Sequence, residues 1–84
     1  MPRQSRKMPT SLQLRAARAM LRWTIDEVAS RAQMSRRTVI RAEEEDQPIS
    51  VRSLRRLAAV FEEAGVEFLG ANSERGTGVR FRRP

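Results

Sequence analysis

The chain has 84 residues, a length that gives one domain with one small core, burying roughly 60–65% of its unfolded surface. It contains no cysteine and no histidine, which excludes disulfides, thiolate nucleophiles, Cys- or His-based metal sites and a Ser-His-Asp triad; no enzyme activity, metal or cofactor is expected. Seventeen basic residues, sixteen of them Arg, stand against ten acidic ones for a net charge of +7, which points to a polyanionic partner.

The charge is lopsided. Residues 1–41 hold ten basic and two acidic side chains, whereas residues 42–84 hold seven and eight. No apolar run approaches the ~18–20 residues of a membrane span, and no signal-peptide core is visible. A cytoplasmic protein with no membrane partner is expected.

Residues 1–10 (MPRQSRKMPT) are polar, with two prolines and the charges Arg3, Arg6 and Lys7. The default for such a stretch is a solvated tail. The functional alternative is a basic arm that seeks phosphates or a minor groove.

A first helix is predicted over 11–21, after the start signal Pro9-Thr10-Ser11. Leu14, Ala17 and Leu21 form its apolar stripe, and Arg18 lies beside that stripe. A charge on a core-facing edge needs a carboxylate partner. Thr24 and Glu27 make a capping box for a second helix over 25–32, with Val28, Ala29 and Ala32 inward. Trp23 is expected to staple the first helix to the second. Gln33-Met34 breaks the pattern, and Ser35 caps a third helix over 36–44.

Pro48 marks a loop, and Ser50 caps a fourth helix over 51–64. Its stripe is Val51, Leu54, Leu57, Ala58 and Phe61, and Gly65 ends it. Residues 66–69 and 79–82 then alternate as strands around a Gly-rich loop, which predicts a hairpin. Val66, Phe68, Val79 and Phe81 would share one face. Glu67 would share the other with Arg80 and Arg82, where cross-strand ion pairs are possible.

The third helix carries the functional signal. At ~100° per residue, with Arg36 at zero, Ile40 falls near 40°, Arg37 near 100° and Arg41 near 140°. Val39 and Ala42 fall on the opposite side. A short helix thus presents three arginines and an isoleucine on one outer face. Arg can fork onto guanine O6 and N7, and Ile can meet a thymine methyl, so this face suits the DNA major groove. A solvated face usually mixes charge signs and would not place Ile40 among the charges.

Residues 11–65 resemble the lambda-repressor-like, Xre-type helix-turn-helix family. TIDEVASRAQMSRRTVIRAEEE is similar to the family's helix-turn-helix core, and PISVRSLRRLAAVFEEAG resembles its fourth-helix region. The set Val28, Ala29, Ala32, Met34, Val39 and Ala42 fits as a whole. The resemblance implies a mainly α fold, a compact four-helix domain, here extended by a C-terminal two-stranded hairpin. It implies that the third helix enters the major groove while the second crosses the backbone. It makes Arg36, Arg37 and Arg41 candidates for base edges, with Ile40 beside them and Thr38 for base or phosphate. Backbone contacts are expected from Arg3, Arg6, Lys7, Thr24 and Ser35. Arg18 and Glu43 match the family's structural ion pair. Ile25 stands where Gln is common at the start of the second helix. Gln33 stands where Gly is commonest in the turn and would need a positive φ.

The expected organisation is an arm (1–10), a DNA-binding domain (11–65) and a hairpin (66–84). Arg52, Arg55 and Arg56 read equally as a charged outer face or as phosphate contacts. The run Glu43–Asp46 is expected to face away from DNA. A two-stranded hairpin is marginal alone. Either its apolar face packs on the fourth helix, or an edge pairs with a second chain, so that residues 66–69 and 79–82, with Val66, Phe68, Val79 and Phe81, help to form a symmetric homodimer. The implied function is a nucleoid-associated, sequence-specific regulator of transcription, a repressor, on a partly palindromic operator. The alternative is an antitoxin-type protein that masks a toxin or other protein partner and represses its own operon. A non-specific nucleic-acid binder is disfavoured, because no exposed aromatic platform is expected.

Overall fold

The computed structural model describes residues 8–83. Arg3, Arg6 and Lys7 lie outside the described residues. Four helices, α1 (Ser11–Leu21), α2 (Ile25–Ala32), α3 (Arg36–Ala42) and α4 (Val51–Glu63), precede an antiparallel hairpin of β1 (Val66–Leu69) and β2 (Gly78–Phe81). This is the expected fold class. α3 is two residues shorter than expected, because Glu43 leaves the helix as its C-cap.

Each helix starts where a hydroxyl satisfies an orphan N–H. The Oγ1 of Thr10 accepts from Gln13 N, and Gln13 Oε1 accepts from Thr10 N, a reciprocal box like that of Thr24 and Glu27. Ser35 and Ser50 accept from the amides of Thr38 and Ser53. Three helices stop at left-handed residues, Arg22 at φ 58° after α1, Gln33 at φ 55° after α2 and Gly65 at φ 100° after α4, whereas α3 ends at Glu43 with φ −90°. The positive φ expected at Gln33 is therefore present.

The core gathers the predicted stripes. Leu14, Ala17, Val28, Ala32, Val39, Ala42, Leu57, Phe61 and Val66 are buried together. Three expectations need correction or extension. Val51 does not join the α4 stripe: it is 56% exposed, because the first turn of α4 reaches beyond the core. Trp23 does more than join α1 to α2. Its ring stacks on Phe61 of α4 at 5.8 Å, and the Arg31 guanidinium covers it at 4.2 Å.

The third correction concerns the hairpin. Val66 faces Phe81 and Phe68 faces Val79, so these four side chains share a face as predicted. That face packs inward. Val66 is fully buried, Phe68 and Val79 are packed against the core, and only Phe81, 42% exposed, keeps a large apolar surface in water. Val66 therefore has no surface to offer a second chain. On the other face Glu67 pairs with Arg80 at 2.8 Å. Arg82 does not join them; its Nη1 donates to Glu62 O at 2.9 Å.

Candidate nucleic-acid interface

The two helices of the motif are held by their turn. Gln33 N donates to Ser30 O and Met34 N to Ala29 O, closing α2. Met34 packs against the core and points the chain into α3. Ser35 then fixes the first turn of α3. Its Oγ accepts from Thr38 N at 3.0 Å and lies 2.9 Å from Thr38 Oγ1. Val39 and Ala42 are buried, so rotation of α3 about its axis is fixed. The opposite face is thereby presented outward.

On that face Arg37 and Arg41 are exposed, one turn apart, with no ion pair or side-chain hydrogen bond among the described residues. Arg36 is exposed too, but its Nε donates to Asp26 Oδ1 of α2 at 2.9 Å. Ile40 is half-buried. It shares an open groove of about 340 Å³ with Ile25, Arg15 and the side chains of Glu43–Glu45. Ile25, at the start of α2, thus lines the same groove as Ile40 of α3. Thr24 and Ser35, expected at the DNA backbone, both spend a hydroxyl lone pair on capping. Thr38 is half-buried and tied to Ser35.

The interface rests on a fixed base. Arg18 of α1 grips Glu43 with two parallel bonds, Nε to Oε2 at 2.7 Å and Nη2 to Oε1 at 2.9 Å. Its Nη1 also donates to Trp23 O. The hydrogen bond to Glu43 raises the Arg18 pKa; burial opposes it, and the negative charge of Glu43 adds a smaller upward push. Arg18 and Glu43 thus form an ion pair between α1 and the end of α3, with Glu43 buried. Glu44, Glu45 and Asp46 remain exposed beside the groove.

Asp26 and Arg15 are two further residues of this surface. Asp26 lies ten residues from Arg36, and only the α2–α3 crossing brings them together. Arg15 lies beyond the α1 stripe. Its place was readable only as three residues before Arg18, on the side away from Ala17. Arg56 reaches from α4 to Gln33 O at 3.4 Å, so one of the three α4 arginines braces the turn. No described helix is long and apolar enough to cross a membrane. Among the described residues no cluster of acidic side chains suits a metal.

A family model described as helix-turn-helix matches residues 14–68, from the middle of α1 into β1. No curated protein matches the chain.

Proposed function

This chain belongs to the helix-turn-helix family of the lambda-repressor (Xre) type, a family of DNA-binding regulators, and from that premise we propose that it is a sequence-specific transcriptional repressor that reads duplex DNA with α3. The observation that carries this reading is the pair Arg37 and Arg41, exposed and without a polar partner among the described residues, on the outer face of a helix whose rotation is locked by Val39 and Ala42. Free guanidinium forks one turn apart suit guanine edges in the major groove. Ile40, half-buried beside them, offers an apolar contact for a thymine methyl. Arg36 is a conditional reader, since it must leave or share Asp26. Arg3, Arg6 and Lys7 act as phosphate anchors, as do the helix N-termini at Thr24 and Ser35.

One such helix reads few base pairs. A homodimer on a partly palindromic operator, with half-sites about 34 Å apart, supplies the missing specificity. Occupying promoter DNA is its means of repression. The test is selection from a random duplex pool with the full chain, followed by footprinting of the enriched site. Enrichment of a two-fold symmetric site protected over two successive major-groove faces is expected. Recovery of unrelated sequences would sink the reading.

A further inference from the structure

The outer edge of β2 has no strand partner among the described residues. The Arg82 amide donates to Gly65 O at 2.8 Å, and Gln13 Nε2 donates to both Leu69 O and Gly78 O, at 2.9 and 2.8 Å. One nitrogen reaches two carbonyls on facing strands only where those carbonyls point toward each other. Both observations set the same phase for the ladder. Gly65/Arg82, Glu67/Arg80 and Leu69/Gly78 turn their backbone groups inward, so Val79 and Phe81 turn their N–H and C=O groups outward from β2. Val66 and Phe68 do the same on β1, but the β1 edge is closed at Val66, which has no exposed surface. The β2 edge is open, with Arg80 and Phe81 exposed.

The geometry points to this edge as the surface that pairs with a second copy of the chain, making a four-stranded antiparallel sheet across a two-fold axis. The inference rests on the dimeric-regulator reading above and specifies how its two copies meet. The ladder phase restricts the register. Outward groups meet outward groups only if odd-numbered residues face odd-numbered residues, which also puts both domains on the same side of the sheet. A register centred on Arg80 would set the two Arg80 side chains directly opposite, and one centred on Phe81 would set Arg80 against Arg82. Like charges directly opposite are destabilising. Centring on Val79 avoids both, because Arg80 then faces the side-chain-free Gly78 of the other copy.

A second observation selects the same register. Centring on Val79 places Phe81 of one copy opposite Thr77 of the other. Thr77 is part of the wall of a cavity of about 190 Å³, lined by the apolar Met8, Pro9, Phe68 and Leu69 and by the polar Thr10 and Gln13. Phe81 and Val79 have the same parity and face the same side of the sheet, and Thr77 continues that parity one residue before β2. The exposed phenyl ring of each copy is thus delivered to the cavity of the other, twice per dimer. Glu67 neutralises Arg80 on the far face, so the junction carries little net charge.

The chain has no cysteine, so a single introduced thiol reports on proximity without background. Facing residues of a bonded antiparallel pair have Cα atoms about 5.5 Å apart, within disulfide reach. Full-length Val79→Cys should therefore oxidise to a covalent dimer, whereas Arg80→Cys should stay monomeric on a non-reducing gel. Sedimentation equilibrium without DNA should show a wild-type dimer. Phe81→Ala, with an unchanged melting curve, should weaken that dimer about a hundredfold, since two buried rings are lost. A wild-type monomer at all concentrations, a dimer indifferent to Phe81→Ala, or cross-linking of Arg80→Cys instead of Val79→Cys would each overturn the proposal. A monomer that still selected one half-site sequence would sink the edge pairing and leave the DNA-reading face intact.

Discussion

Arg18 and Glu43 form a two-pronged ion pair that locks α1 to the end of α3, with Nε–Oε2 at 2.7 Å and Nη2–Oε1 at 2.9 Å. Glu43 is 7% exposed, so its carboxylate depends on this partner. Arg18→Ala would leave it buried and unpaired, and a loss of about 3–5 kcal/mol is expected in urea unfolding. The raised Arg18 pKa sets the pH behaviour. A raised pKa gives stabilisation that is complete below the unfolded value and is lost only as pH rises through the folded one. Both lie far above neutrality, so this arginine should contribute no change in melting temperature between about pH 6 and pH 10. A steep alkaline loss in the wild type that is absent in Arg18→Met would contradict this.

Arg37 and Arg41 are exposed and make no ion pair or side-chain hydrogen bond among the described residues, so their replacement should leave stability nearly unchanged and act on DNA alone. Arg37→Ala or Arg41→Ala should each cost about 1–3 kcal/mol in operator binding and relax preference at one base pair. Deleting residues 1–7 should instead weaken all sequences alike and lower the log–log salt slope by about 3, at ~0.9 per lost phosphate contact. Titrations on specific and scrambled duplexes at several salt concentrations separate the two. Identical uniform losses would refute the division into readers and anchors.

Asp26 restrains Arg36 through an exposed pair. Exposed pairs contribute little, so Asp26→Asn should change stability by less than about 1 kcal/mol. It should also tighten DNA binding, because it removes a carboxylate beside the reading face and frees a guanidinium. Weaker binding by the variant would show that Asp26 positions Arg36 rather than restrains it.

Gln33 holds φ 55°, where an L-residue pays for the approach of its Cβ to the backbone. Gln33→Gly should raise stability by about 0.5–1 kcal/mol, the relief of strain being partly offset by glycine's greater freedom in the unfolded chain. For a domain of this size that is a rise of roughly 2–8 °C in melting temperature. A fall would mean that the Gln33 side chain has a stabilising role of its own.

Gln13 ties the hairpin to α1 through two carbonyls. Gln13→Leu should cost about 1–3 kcal/mol, since it removes both bonds and half of the Thr10 capping box. Hydrogen exchange should show faster protection loss in β1 and β2 than in α2 and α3. Uniform loss across the domain would argue that the hairpin and helices open as one unit.

The order of elements, the caps and the burial faces of the helices could be read along the chain. These depend on local relations: a hydroxyl three residues before the amide it caps, an apolar stripe at helical spacing, alternation in a strand. The absence of Cys and His likewise settled which chemistries the side chains cannot perform. The outward side of α3 followed from the angle between Val39 and Arg37, before any packing was known. The Arg18–Glu43 pair was half legible, because a charge on a core edge demands a partner but does not say which one. What only the tertiary structure decided are contacts between elements distant in sequence. Trp23 found Phe61, Asp26 captured Arg36, Gln13 bridged the hairpin, and the apolar hairpin face turned inward with Phe81 left in water. Each depends on where one element docks against another, and local periodicity says which face is apolar without saying what will cover it.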